Sequence, residues 1–269
     1  MGALLGRLTY ALSGQYAARM RENLQQAGFS LDDKQGRQLL SEAIEEAGKG
    51  LVELPWVWGR PYGEVLGSVK ECRGMQYLEA ARARGKSIIF LTPHLGCFEM
   101  AGLYLAQYQP LTELYRPPRL DWLEGVMRDG RERGQAKLAK ADISGVRLLY
   151  KALKRGEAIG LLPDQVPSQG EGEWADFFGR PAYTMTLVGR LAQASDATVL
   201  VVSAERKAGG RGYDIRLEPL SLDFSRSVPQ QINAALEKMI RACPAQYLWS
   251  YNRYKVSRGV LPPDEAREP

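Results

Sequence analysis

His94 is the only histidine in 269 residues, and it stands in the stretch Ser87 to Met100, followed by Glu99. An unperturbed imidazole titrates nearer neutral pH than any other side chain, so a lone histidine with a carboxylate in reach is a candidate general base. On one continuous helix these two side chains would point about 140° apart, since each residue advances roughly 100°. They can meet only if His94 occupies a turn and Glu99 the first helical turn beyond it. Pro93 and Gly96 favour such a turn. Glu99 would then accept from one ring nitrogen and fix the tautomer, leaving the other to take a proton from an acceptor hydroxyl. The competing reading is a hydrogen-bonded framework histidine with no part in chemistry.

Positioning such a pair requires a strand, a turn and a helix in that order. The apolar run Ser87–Thr92 predicts the strand and Phe98–Gln107 the helix. Before them, residues 3–27 carry apolar positions at helical spacing with Arg7, Arg19 and Arg21 among them, which fits a membrane-surface helix or an ordinary amphipathic helix equally well. Ser30 and Asp33 resemble a capping box opening a helix through Leu54, which Pro55 is expected to stop. Trp56 and Trp58 suit either a lipid headgroup layer or a partly buried core. A helix is predicted over Val69–Arg84, ended by Gly85.

Beyond the turn come a loop at 115–119, a helix to about Arg133, a helix over Ser144–Arg155, and a strand over Ala158–Leu162 that ends at Pro163-Asp164-Gln165. A glycine-rich loop at 169–173 precedes Phe177-Phe178-Gly179. Then come the helix Thr186–Ser195, the strand Thr198–Ala204, a hairpin turn at 208–212, the strand Tyr213–Pro219 and the helix Pro229–Cys243. Strands alternating with helices predict an α/β fold with a mixed central sheet flanked by helices, in a single domain over 1–269. The last dozen or so residues, 256–269, are expected to fray.

A net charge of +5 and a pI near 9.0 favour acidic partners: anionic lipid, phosphorylated substrate, an acidic carrier protein or nucleic acid. The basic residues are dispersed, and neither an RNA-binding aromatic signature nor zinc-finger spacing occurs, which argues against nucleic acid. Three cysteines (Cys72, Cys97 and Cys243) without a CxxC pair point away from a disulfide framework, and with one histidine they cannot build a usual zinc site. No run of 18 apolar residues is present, and Met1–Leu12 makes no clear signal peptide.

The segment His94-Leu95-Gly96-Cys97-Phe98-Glu99 resembles the H-x4-E signature of the bacterial lipid A biosynthesis (lauroyl/myristoyl) late acyltransferases. Further elements succeed it in that family's order. Tyr115-Arg116-Pro117 is similar to its YRP, Gly130-Arg131-Glu132-Arg133 to its GRxR, and Leu162-Pro163-Asp164-Gln165 to its LPDQ. Phe177-Phe178-Gly179 with Thr184 resembles its FFG element, and Gln246-Tyr247-Leu248-Trp249 with Arg253 and Lys255 its C-terminal element. H-x4-E alone is weak; six ordered elements from about Asn23 to Lys255 are specific.

The resemblance implies direct transfer of an acyl chain from acyl carrier protein to a hydroxyl of a lipid A precursor, a phosphorylated glucosamine disaccharide. It implies work at the cytoplasmic face of the inner membrane and no cofactor. His94 would be the base and Glu99 its orienter. Arg131 is the first choice of oxyanion donor and Arg116 the second, with backbone N–H groups after Gly96 as a further source. Either arginine could instead hold a lipid phosphate. Asp164, at a strand end, is placed by the resemblance among the substrate-binding residues, against a competing reading as a turn carboxylate. Cys97 is structural in a direct-transfer mechanism.

Cys97 and Phe98 stand where the family usually has Asn and Trp, and Tyr251-Asn252-Arg253 where it often has His-Arg-Arg. These departures leave the His–Glu pair intact. Members usually begin with an apolar anchoring helix before the part that matches residues 3–27, so a shortened N-terminus or peripheral membrane binding is expected. A glycerolipid acyltransferase would use a similar sheet with H-x4-D, against which Glu99 argues. A third reading is an inactive relative that only binds anionic lipid.

Overall fold

Ile88–Leu91 is buried at all four positions, and a strand apolar on both faces belongs in the middle of a sheet covered on both sides. The computed structural model describes residues 1–263 and places this strand, β2, at the centre of a seven-stranded sheet. The chain divides into two compact units, one of residues 52–162 and 191–221, the other of residues 1–51, 163–190 and 222–269.

The first of these contains the whole sheet. Its strands are β1 (Val69–Arg73), β2 (Ile88–Leu91), β3 (Leu111–Tyr115), β4 (Ala136–Lys140), β5 (Ala158–Leu161), β8 (Thr198–Arg206) and β9 (Tyr213–Pro219), in the order β1-β9-β8-β2-β5-β3-β4. β2 runs parallel to both β5 and β8, while β8 and β9 form an antiparallel pair, so the sheet is mixed as predicted. Its helices include α4 (Tyr62–Gly67), α5 (Met75–Ala83), α6 (Phe98–Leu105), α7 (Asp121–Arg131) and α8 (Ile143–Lys154). Leu78, Phe90, Met100, Leu103, Leu200, Val202 and Ile215 are among the residues of its main core.

The other unit holds α1 (Gly2–Leu12), α2 (Gly14–Gln26), most of α3 (Lys34–Gly59), the hairpin β6 (Gly172–Phe177) and β7 (Arg180–Met185), and α10 (Val228–Ala242). The helix α9 (Leu187–Ser195) begins in it. Phe178 and Gly179 both have positive φ, 50° and 72°, which is the backbone a two-residue type I′ hairpin demands. Phe178 is held in that unfavourable region by hydrogen bonds, its N–H to Glu237 and its carbonyl to Gln26. Of the tail expected to fray, Ser257 and Leu261 are tied by hydrogen bonds to Pro167 and Trp174, and residues 264–269 lie outside those described.

Several local predictions need correcting. Residues 3–27 form two helices, broken at Ser13, whose side chain accepts from the Tyr16 N–H and caps α2. α3 starts at Lys34 with Asp33 accepting from Gly36 N–H at 2.7 Å, so Asp33 rather than Ser30 is the cap. Pro55 lies inside α3 and does not stop it. Tertiary contacts hold the last turn beyond it: Val57 is fully buried, and Arg133 donates to the carbonyls of Val57 and Arg60. The helix predicted over Val69–Arg84 is instead β1 and α5, divided at Gly74 with φ 84°. The strands β3, β4, β6 and β7 have no counterpart in the sequence reading.

Candidate active site

β2 delivers the turn. Thr92 N–H extends its pairing by bonding Leu161 O at 3.0 Å, and Pro93 and His94 come next. Gly96, with φ 62°, then bends the chain back towards β8, where Cys97 N–H bonds Ala204 O at 2.8 Å and Arg206 Nη2 donates to Gly96 O at 2.7 Å. Arg206 is itself gripped by Glu53 through two bonds of 2.6 and 2.8 Å, and Tyr213 donates to the same carboxylate at 3.1 Å. With both side chains only 12% exposed, Arg206→Met strands a buried carboxylate and frees the Gly96 carbonyl. Chemical denaturation should register a loss of roughly 3 kcal/mol. Turnover by the fraction still folded should fall while KM stays near its original value.

α6 opens at Phe98 with Cys97 as its cap, so Glu99 falls in the first turn, where a negative charge suits the helix dipole. The His94 ring is half-buried and packs on Phe98, centroids 4.7 Å apart. Glu99 is 7% exposed and accepts a fork from Arg131, Nε at 2.7 Å to one oxygen and Nη2 to the other. The Trp58 indole N–H also donates to it at 3.2 Å. The Arg131 guanidinium stacks 5.7 Å from the Trp58 ring, and Gly130 gives that ring room, since a Cβ there would overlap it. Burial works against the Arg131 charge, and the carboxylates around it more than offset this.

The motif Gly130–Arg133 therefore resolves into separate tasks. Gly130 admits Trp58, Arg131 locks Glu99, Glu132 pairs with Arg128 and accepts from Leu138 N–H, and Arg133 closes the end of α3. Two of the Arg131 donors expected for an oxyanion are committed to Glu99. Of the backbone donors expected after Gly96, the Cys97 N–H is committed to Ala204. Arg116 is exposed just beyond β3. Because β2, β5 and β3 are parallel neighbours, Arg116 and His94 leave the same edge of the sheet two strand spacings apart, about 10 Å.

Asp164 belongs to the other unit. It is 2% exposed, takes a hydrogen bond from the Tyr247 hydroxyl and shares its surroundings with the Arg253 guanidinium. Arg253 is equally enclosed and donates to Tyr183 O at 2.8 Å and Thr184 Oγ1 at 2.6 Å. Burial, then the Asp164 charge, pushes the Tyr247 hydroxyl well up. The carboxylate that the sequence placed among the substrate-binding residues is thus enclosed within its own unit. Tyr247 and Trp249 are core residues. Burial also pushes the Cys97 thiol well up, which keeps it from serving as a thiolate nucleophile.

Three residues were not among the site candidates of the sequence: Trp58, considered there only for a lipid headgroup layer or the core, Arg206 and Glu113. The signal for the last was a carboxylate in the middle of Leu111-Thr-Glu-Leu-Tyr115, on the same strand face as Leu111 and Tyr115. Burial raises the Glu113 carboxyl to about 7, with Arg131 pulling it down and Glu99 pushing it further up.

A family model described as bacterial lipid A biosynthesis acyltransferase matches residues 1–256. The lipid A biosynthesis lauroyltransferase of Escherichia coli K12 is 26% identical over 272 residues, covering 97% of this chain and 86% of that protein. The palmitoleoyltransferase of the same organism is 26% identical over 260 residues, covering 95% and 84%. Among solved structures, the 1-acyl-sn-glycerophosphate acyltransferase of Thermotoga maritima aligns with a TM-score of 0.37 at 14% identity, covering 90% of this chain and 93% of that one.

Proposed function

The chain belongs to the bacterial lipid A biosynthesis acyltransferase family, and on that premise we propose that His94 is the base that activates a lipid A precursor hydroxyl. As the imidazole takes the proton, the hydroxyl oxygen attacks the carbonyl carbon of an acyl thioester. The tetrahedral intermediate then collapses, the carbon–sulfur bond breaks, and the leaving sulfur recovers the proton from the imidazolium. An ester and a free thiol result, and His94 returns to its starting state. Acyl carrier protein supplies the thioester in this reading, and its acidity suits a chain of net charge +5.

The observation that carries the proposal is the turn after β2. It leaves His94 half-exposed, while Glu99, five residues on, is buried and locked by Arg131 and Trp58. Glu99 orients the imidazole and balances its charge, and Arg131 holds Glu99 in place. The oxyanion, or a phosphate of the acceptor, falls to Arg116. The family match spans residues of both units, which supports treating the chain as one acyltransferase domain.

Among the described residues no helix is long and apolar enough to cross a membrane. α1 packs through Gly2 and Gly6 against Ile44, Gly48 and Lys49 of α3 and turns Leu4, Leu5, Leu8 and Leu12 outward. Leucines exposed along one helix support docking on the anionic inner leaflet of the inner membrane.

The test offers acyl carrier protein thioester to the full chain with a lipid A precursor and a lysophospholipid side by side. Acylation of the lipid A precursor is the expected result. Acylation of the lysophospholipid alone would assign the glycerolipid reaction instead, and no acylation of either would favour the inactive lipid-binding relative. In cells, mass spectrometry should find one secondary acyl chain missing from lipid A when the gene is deleted.

A further inference from the structure

One carboxyl group close to the Glu99–Arg131 pair, that of Glu113, is left unused by this mechanism, and any catalytic role for it rests on His94 being the base. Glu113, midway along β3, is paired with Gly160 of β5 and reaches towards Gly102 of α6. A Cβ on Gly160 would lie 3.1 Å from the Glu113 Cγ, and one on Gly102 would overlap the carboxyl group itself. The two glycines form the walls of a slot that fits this side chain. Gly102 lies three residues beyond Glu99 on α6 and so shares its face, which brings the Glu113 carboxyl within about one helical turn of the Glu99 carboxylate. Protein surrounds Glu113, yet it keeps some accessible surface, as a group lining a recess does.

Among the described residues, the charges that act on Glu113 are those of Arg131 on α7 and Glu99 on α6. β4 and β5 set Leu138 and Gly160 opposite it, and the buried residues of α8 are Gly145, Leu149, Ala152 and Leu153. A carboxyl raised from 4.5 to about 7 by burial contributes stability that is lost as pH rises through that window. An uncharged residue of the same shape would serve a purely structural role better, and a costly carboxyl beside Glu99 and Arg131 points to use.

We propose that Glu113 is a positioning residue for acyl transfer: its charge adds to that of Glu99 around Arg131 and governs how well the site accepts the His94 imidazolium. With Glu113 ionised, two carboxylates against one guanidinium leave one net negative charge to meet the imidazolium. With Glu113 protonated, the trio is neutral. Turnover therefore climbs with pH for two reasons, His94 losing its proton and Glu113 losing its own.

A chain with a single imidazole makes the test direct. The His94 ring resonance is followed by NMR against pH in the full chain, alongside the pH profile of kcat. Glu113→Gln should move the His94 midpoint down, reduce the acid limb of the profile from two protons to one, and lower kcat about tenfold near pH 7. The same variant should gain thermal stability over the original chain, by a margin that widens from pH 4.5 to 7. Glu113→Asp should keep the two-proton limb. A Gln variant whose His94 titration and acid limb match the original overturns the assignment, whatever its melting temperature. Turnover that survives His94→Ala overturns the base itself, a separate result.

Discussion

His94→Ala should lower kcat by about 10²- to 10⁴-fold, the range a positioned general base contributes. Stability should change by only about 1 kcal/mol, because the ring is half-buried where it packs on Phe98. The comparison to make is single-turnover acyl transfer beside a denaturation curve on the same preparation. Activity lost without unfolding assigns the proton transfer to His94. Activity retained would leave this chain without a histidine to do the work, since it has no other.

Arg131→Met has the largest expected effect on stability. Glu99 has a side chain only 4% exposed, and the substitution removes both bonds of the guanidinium fork while keeping much of the volume. A buried charge that loses its partner costs about 3–5 kcal/mol, or the carboxyl protonates instead. Pairing Arg131→Met with Glu99→Leu should restore most of the stability and none of the activity. Arg131→Lys keeps the charge without the fork and should fall between. If Arg131→Met unfolds no more readily than the original chain, the fork is not what holds Glu99.

The parts of the site legible in the sequence were those written locally. The apolar run of β2, the Pro93–Gly96 turn and the start of α6 were read within a residue or two, because a fully buried strand and a glycine-bearing turn leave marks in adjacent residues. The β8–β9 hairpin and α10 were found on the same grounds. β1, with Lys70, Glu71 and Arg73 on an exposed edge, carries too little apolar alternation and passed for a helix. β3 and β4 are five residues each and mix charge with apolar positions, and their pairing partners are distant in sequence.

The residue types and order alone determined the lone base, its carboxylate and the chain's family likeness, since chemistry of that kind is written in residue identity. Tertiary structure decided which groups those residues serve. It carried α3 past Pro55, because Arg133 and the burial of Val57 hold the helix where local preference would end it. It committed two donors of Arg131 to Glu99, and set Asp164 into a buried network with Tyr247 and Arg253. It also brought Glu113, from another strand, within reach of the charges of Arg131 and Glu99. Burial and charge pairing depend on which elements fold against each other, and no spacing along the chain encodes that.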